Sequence, residues 1–519
     1  MKRRNTDEGG RRTPALSELA PRQRGLIAAG VMLPAFMSTL DTTVVNVALP
    51  HMQGSLSASP DQITWTLTSF IVVQAMTMPI TGWLSARIGV KAMMLACVGL
   101  FTATSLLCGV AANLPEMVLF RVLQGIAGAP MAPLAQAVLL NITPPQRIGR
   151  AMALSTMVAI VGPIIGPLLG SYLTEHFSWR WCFYINLPAG IASLAMLWLF
   201  LPNDAHAPRR FDFLGFGSLA VALAGLQLML DRGPSQDWFN SREICLEAIV
   251  AAASFWVYLW HTLTAKHPLF HPALARDRNF VSGTAVLFFF AGLLYASLAL
   301  LPLMMQGLLG YPVITSGLMT TPRGVVMMVV LMFMGPLDAH VDRRLLVGAG
   351  LAFMGVGFWQ MAQFDLDMSP LDIAVSNATQ GLGQGMIMVP LMTLALGTVP
   401  PELRADASAI SNLIRTLGGS LGISIMQALV VFNGQRMHAA LAAHVRLDDP
   451  VVRAGLPSAL SPDTLQGALR LNDEISRQAN MVAFVDDFRL MTLLAVCAAP
   501  LLLLLRRPRP SGPVQVEVH

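Results

Sequence analysis

The sequence predicts an all-α polytopic membrane protein with fourteen transmembrane helices, and three observations carry that prediction. Of 519 residues, 54% are hydrophobic and only 12% charged, whereas charged residues make up about 25% of a soluble domain. The mean hydropathy of +0.60 is spread along the chain rather than confined to one anchor. Fourteen apolar segments reach the length needed to cross a bilayer, about 20 residues for a hydrocarbon core about 30 Å thick. They lie near 26–49, 62–84, 92–112, 115–138, 150–173, 183–202, 212–231, 243–264, 280–303, 314–335, 345–364, 371–397, 405–431 and 487–506. Basic residues gather in every second loop: the N-terminal tail, Arg87/Lys91, Arg147/Arg150, Arg209/Arg210, Lys266/Arg276/Arg278, Arg343/Arg344 and Arg506/Arg507/Arg509. The short loops between them hold only Arg180, Arg232 and Arg242. Lys- and Arg-rich short loops stay in the cytoplasm, so both termini are expected there.

Residues 1–25 read as a cytoplasmic basic tail, whose polar start argues against a cleavable signal peptide. Residues 26–202 read as a first bundle of six spans. Its first span closes with Leu40-Asp41-Thr42-Thr43-Val44-Val45-Asn46-Val47-Ala48-Leu49-Pro50. A carboxylate at membrane depth costs several kcal/mol unless it faces protein or a wet cavity. Asp41 is therefore a functional candidate, the alternative being a charge that snorkels at a helix end. In the fourth span, Leu119-Phe120-Arg121-Val122-Leu123-Gln124-Gly125-Ile126-Ala127-Gly128 buries an arginine. Arginine stays charged and needs a partner, and Asp41 is the economical one. A carboxyl group gives up its proton beside a guanidinium and keeps it in apolar surroundings. A helix movement that alternates the two would load and release a proton; the rival reading is a structural ion pair fixing two helices.

The fifth span carries Gly162-Pro163-Ile164-Ile165-Gly166-Pro167-Leu168-Leu169-Gly170. Glycines four apart let helices approach closely, and the prolines permit a bend. The expectation is a tight, bendable seam between the two halves.

Residues 203–265 read as an inserted pair of spans, because setting them aside leaves two sets of six. The second set covers 266–506. Gly82-Trp83-Leu84-Ser85-Ala86-Arg87-Ile88-Gly89-Val90-Lys91 matches Gly335-Pro336-Leu337-Asp338-Ala339-His340-Val341-Asp342-Arg343-Arg344 in its glycine, leucine, alanine and terminal basic positions. Both strings follow the second span of a half, as parallel internal repeats of a transporter would. Residues 432–485 are polar and read as a long periplasmic loop. Leu465, Leu469, Ile475 and Ala479 within it suggest a short amphipathic helix that packs on its own bundle or docks a partner. Residues 507–519 form a second cytoplasmic tail.

Polar groups in hydrocarbon seek a protein partner or a cavity. Asn46, Trp65, Gln74, Gln124, Gln306 and Arg415 are accordingly candidates to line a substrate cavity, and some of the 31 methionines suit one that repacks around different shapes. Asp212, Glu247 and Asp406 read as interfacial charges.

Leu40–Pro50, Gly82–Lys91, Arg121–Gly128 and Gly162–Gly170 resemble the successive motifs of the major facilitator superfamily, in the forms of its fourteen-span drug:proton antiporter family, the EmrB/QacA group. Trp179–Pro188, Leu230-Asp231-Arg232-Gly233, Asp237-Trp238-Phe239 and Asn412–Gly422 are similar to strings of its EmrB branch. The resemblance runs from about 26 to 506 and implies the major facilitator fold, two six-helix bundles plus two inserted spans. It implies export of small hydrophobic compounds from the bacterial inner membrane against inward proton flow, with Asp41 and Arg121 in proton coupling. It makes Gly162, Pro163, Gly166, Pro167 and Gly170 the antiporter motif and Gly82, Arg87, Gly89 and Lys91 a gating loop. A membrane-fusion adaptor and an outer-membrane channel become expected partners beside membrane lipids. Ala86 and Ser171 depart from the family pattern, the first removing an acid that usually latches the gating loop.

Other classes lack their residues. No Gly-x-x-x-x-Gly-Lys-Ser/Thr loop or His-Glu-x-x-His pair is present, and the one Gly-x-Ser-x-Gly string, Gly418–Gly422, lies inside an expected span rather than at a strand-to-helix turn, which argues against a nucleotide-driven pump or a membrane hydrolase. Five scattered cysteines indicate neither disulfides nor a metal site. The net charge of +5 is segregated into loops, so no nucleic-acid partner is expected. The expectation is a transporter rather than an enzyme, needing no cofactor beyond a proton gradient. An exporter dedicated to one endogenous siderophore, lipid or pigment is the alternative, and a non-transporting receptor or channel scaffold the remote one.

Overall fold

The computed structural model describes residues 21–144, 147–203, 210–266, 268–444 and 464–505, with Pro457 and Leu460. Its long helices in chain order are α1 (Pro21–Ser55), α2 (Trp65–Ile88), α3 (Val90–Val110), α4 (Leu114–Ile142), α5 (Ile148–His176), α6 (Trp181–Phe200), α7 (Phe213–Arg232), α8 (Arg242–Thr264), α9 (Arg278–Leu308), α10 (Val313–His340), α11 (Arg343–Met361), α12 (Pro370–Gly397), α13 (Arg404–His444) and α14 (Leu465–Ala498). Twelve helices among the described residues are long and apolar enough to cross a membrane. The other two expected segments are helical, as α5 and α12 over 29 and 28 residues, but are not among those twelve. α12 is the less apolar because Asn377, Gln380 and Gln384 interrupt it, and all three are buried in protein.

Short polar residues decide where helices begin. Asn113, Asp212, Asp277, Asp342, Ser369 and Thr464 each accept a first-turn backbone N–H of the helix that follows, one of the donors a helix start leaves unpaired. Between α2 and α3 the chain turns at Gly89 with φ +86°, a left-handed angle that favours glycine.

α1–α6 form one bundle and α9–α14 another, with the same pairings. α1 packs on α5 and α6, α2 on α4, and α3 on α4 and α6; likewise α9 packs on α13 and α14, α10 on α12, and α11 on α12 and α14. The repeat first visible in one loop thus extends to the whole packing scheme. The bundles meet where α5 touches α10 and α12, and where α2 and α4 touch α13.

The inserted pair straps the two halves together. On the first half, Thr68 of α2 donates to Asp231 at the end of α7, and the Arg232 guanidinium lies over the Trp65 ring, 5.4 Å from its centroid. On the second half, Gln227 donates to Ser420 at 3.1 Å and Ser424 to the Leu230 carbonyl at 2.7 Å, both from or to α13. α8 packs on α7 and leaves Leu246, Ile249, Trp256, Trp260 and Leu263 exposed, the all-round apolar surface that lipid tolerates.

Residues 432–485 differ from the expected loop. α13 runs on to His444 and α14 starts at Leu465, so Leu465, Leu469, Ile475 and Ala479 open a 34-residue helix continuous with the last span rather than a separate one. Hydropathy falls there, but no proline or glycine after Gly467 stops the helix before Ala498. The two extensions pair through His438 and Asn472, 3.2 Å apart. The chain between them, like residues 1–20 and 506–519, lies outside the described residues.

Candidate functional site

Asp41 and Arg121 meet in the first bundle, completely enclosed. Asp41 is 1% exposed and Arg121 0%, and Arg121 Nη1 donates to Asp41 Oδ2 at 2.5 Å. The other carboxylate oxygen, Oδ1, accepts from Gln124 Nε2 at 3.2 Å and Asn186 Nδ2 at 3.1 Å. Gln124 and Asn186 both donate to Ser105 Oγ, at 2.9 and 3.0 Å. Arg121 Nε donates to the Thr66 carbonyl at 2.8 Å and Nη1 to Gln124 Oε1 at 2.7 Å. Its guanidinium lies 4.3 Å from the Phe70 ring centroid, a contact worth more when desolvated.

Five helices, α1, α2, α3, α4 and α6, therefore converge on one carboxylate. A buried charge is tolerable only when paired and hydrogen-bonded, and here the donors come from α4, which supplies Arg121 and Gln124, and from α6, which supplies Asn186. Any shift of α1 against α4 and α6 breaks the set together.

The α5 glycines build the wall behind it. A Cβ on Gly162 would lie 2.6 Å from Thr39 Oγ1, and one on Gly170 3.0 Å from the Val44 carbonyl; Gly166 faces Thr43 in the same way. Thr43 Oγ1 also donates to the Gly162 carbonyl at 3.3 Å. α5 meets the second half at α10 and α12, but its glycine face is pressed on α1 to either side of Asp41, so the tight part of the expected seam lies inside the first half. The side chains of Pro163, Pro167 and Ser171 lie outside the described set.

The gating-loop residues lie at the turn between α2 and α3, where α2 crosses α13. A Cβ on Gly82 would collide with the Asp406 carboxyl and reach its Cα at 3.0 Å, so this glycine permits α2 to cross α13. Asp406, expected at an interface, is 3% exposed. Arg87 lies over the Trp83 ring and Lys91 donates to the Trp198 carbonyl at 2.9 Å. Nearby, Arg404 donates to the Leu140 carbonyl and to Asn141 Oδ1, at 3.1 and 2.8 Å. Asn412 donates to Gln136 Oε1 at 3.1 Å, and Gln136 to Met392 Sδ at 3.6 Å. These contacts join the bundles there. Overpacking of this kind costs about 1–3 kcal/mol, so Gly82→Ala is expected to slow transport on the order of tenfold at normal protein level. Unchanged transport by the variant in vesicles would remove the crossing from the mechanism.

A match to the major facilitator superfamily model covers residues 31–423. The chain belongs to the major facilitator superfamily. Within that superfamily it lies in the EmrB branch. It is 35% identical over 435 residues to the multidrug export protein EmrB of Haemophilus influenzae, covering 82% of this chain and 84% of that one. It is 33% identical over 485 residues to the fatty acid resistance protein FarB of Neisseria gonorrhoeae, covering 92% and 96%. The crystal structure of the human organic anion transporter MFSD10 superposes with a TM-score of 0.59 at 15% identity, over 92% of this chain and 100% of that one. At that identity the likeness shows the major facilitator fold alone.

The cavity candidates scatter. Gln124 belongs to the Asp41 cluster, and Gln74 donates to Ser38 Oγ at 3.3 Å. Trp65 faces the inserted pair, under Arg232. Gln306 is exposed and donates to Ser316 at 3.3 Å, and Asn46 is exposed on α1. Arg415 donates to the Tyr295 hydroxyl at 3.0 Å and to Asn412 Oδ1 at 3.1 Å, beside the groups that join the halves. Asp212 caps α7 and accepts from His261 and from the Leu269 N–H, at 2.7 and 3.1 Å. Glu247 is half-buried in α8.

The second bundle holds a polar cluster that sequence reading passed over. Arg323 of α10, 4% exposed, donates to Asn377 Oδ1 and Ser297 Oγ, both at 3.0 Å. Gln380 accepts from Ser297 at 3.4 Å and donates to Met361 Sδ at 3.1 Å. One constant register shift carries Asp41, Ser105, Arg121 and Gln124 onto Ser297, Met361, Asn377 and Gln380. The cluster is the repeat counterpart of the Asp41 site, with its guanidinium supplied by α10. An arginine inside the otherwise apolar run 315–334 was the available signal.

Proposed function

We propose that this chain exports hydrophobic and amphipathic drugs and toxic organic compounds across the bacterial inner membrane in exchange for protons, by alternating access. The observation that carries the reading is the enclosed Asp41–Arg121 pair in a chain of the EmrB branch. The basic loops favour cytoplasmic termini and fourteen spans, with α5 and α12 among them. The bundles are then joined at the cytoplasmic face, as suits a state that opens outward. Asp41 accepts a proton from that side, lets go of Arg121, and frees α1 to move against α4. Opening inward restores the pair, releases the proton and admits substrate. Gly162, Gly166 and Gly170 keep α5 close enough to α1 to carry the movement, and Gly82 with Asp406 forms the inner gate. A proton crossing ~100 mV contributes ~2.3 kcal/mol, about a forty-fold substrate gradient, so no other cofactor is required.

The likeness to a fatty acid resistance protein favours a substrate range that includes long-chain amphiphiles. The α13 and α14 extensions, with Leu465 and Leu469 exposed, are the surface offered to a periplasmic membrane-fusion adaptor, which would pass substrate to an outer-membrane channel. Expression in bacteria lacking their own pumps should lower accumulation of lipophilic cationic dyes, and a protonophore should restore it. Equal accumulation with and without the chain, over a panel of dyes and fatty acids, contradicts the reading. Arg415→Ala is expected to lower export several-fold if Arg415 lines the substrate path; unchanged export at normal protein level makes it a packing residue.

A further inference from the structure

Asp487 of α14 is 1% exposed, and both its carboxyl oxygens lack a hydrogen-bond partner among the described residues. In the first bundle α6 has the part that α14 has in the second. Aligning the buried Phe183 with the buried Phe484 sets Asn186, which holds Asp41, against Asp487. The second half thus carries an acid at the repeat position of a proton-site ligand.

The helices packed on α14 bring it no counter-ion. α9 carries Arg278 and Tyr295 as its only ionisable side chains, and Tyr295 is bonded to Arg415. α11 has none beyond Arg344 at its far end, and Asp365 and Asp367 in the turn that follows are exposed. α13 has none between Arg415 and the exposed Arg436, with His438 farther out and bound to Asn472. On α14 itself, the half-buried Asp486 and the exposed Arg489 are paired with each other at 2.9 Å. Phe488 beside it packs on Phe364 in the turn after α11. A bare carboxylate in such a place costs several kcal/mol, and such a group neutralises instead.

We infer that Asp487 is a second proton-binding group, protonated in this state and exchanging its proton when the second bundle rearranges. The inference rests on the reading of proton-driven export. The chemistry is one proton taken up by one carboxylate, with no other bond made or broken. Arg323, with Nη2 unbonded among the described residues, is the buried cation of the same half.

The test uses the full chain in lipid vesicles, with Asp487→Asn, Asp487→Leu and Asp41→Asn beside it. Infrared spectra of the native chain at neutral pH should show the carbonyl stretch of a buried protonated acid, lost in both Asp487 variants and kept in Asp41→Asn. Both Asp487 variants should fold, since each is neutral like the protonated acid; failure of both to fold contradicts the inference. In Asp487→Asn the maximal substrate gradient at ~100 mV should fall by up to about forty-fold, one proton's share, while substrate exchange continues. A band that persists in Asp487→Asn overturns the site, and a lost band with the native gradient retained overturns its exchange. If even the native chain drives no gradient, the export reading fails alone, and loss of the band still upholds the proton site.

Discussion

Asp41→Asn is expected to abolish export driven by a pH gradient while leaving substrate-for-substrate exchange intact. Asparagine matches aspartate in shape and keeps an acceptor for Arg121, but its charge cannot change. The cluster in α1, α2, α3, α4 and α6 then stays neutral at position 41 throughout the cycle, and movement of the bundles is no longer tied to a proton. The variant's maximal gradient in vesicles should fall to none, losing the forty-fold that each coupled proton allows at ~100 mV. Gradient-driven export equal to the native chain's would remove Asp41 from the coupling.

Arg121→Leu is expected to be the most destabilising single change in the first bundle. It leaves the Asp41 carboxylate enclosed with only Gln124 and Asn186 as donors. Removing one partner of a buried ion pair costs about 3–5 kcal/mol, much of it the uncompensated charge that stays behind. The double variant Asp41→Asn/Arg121→Leu removes that charge and should recover a large part of the loss. Thermal unfolding of the purified proteins in detergent separates the cases. Equal losses in the single and the double variant would mean that the pair itself contributes little and that Arg121 stabilises through Phe70 and the Thr66 carbonyl.

The fold was legible because lipid leaves helices few choices. A segment of apolar residues long enough to span must satisfy its backbone internally, so all fourteen expected segments are helices. Asp41 and Arg121 were legible for the same reason, as charges where charge is costly. Less visible was whatever depended on which face a residue presents. Gln124 and Asn186 look alike in sequence to Gln74 and Asn46, yet only the first two reach the carboxylate. The α5 glycines mark a close approach without naming the partner, and the partner is α1. Asp487 is the first residue of the expected last span, 487–506; only the continuation of α14 outward to Leu465 makes it interior. The inserted pair was visible as two spans, whereas its bridging of α2 and α13 depends on Thr68, Trp65, Ser420 and Ser424, none of which signals a contact by type.

Antiport requires that substrate and protons move in opposite directions through this chain. The direct measurement is the internal pH of vesicles containing the purified native protein, followed while a substrate gradient is imposed with no pH gradient present. Downhill substrate flow should drive protons the other way and generate a pH difference, and Asp41→Asn should generate none. Substrate flow with no proton movement in the native chain would contradict antiport.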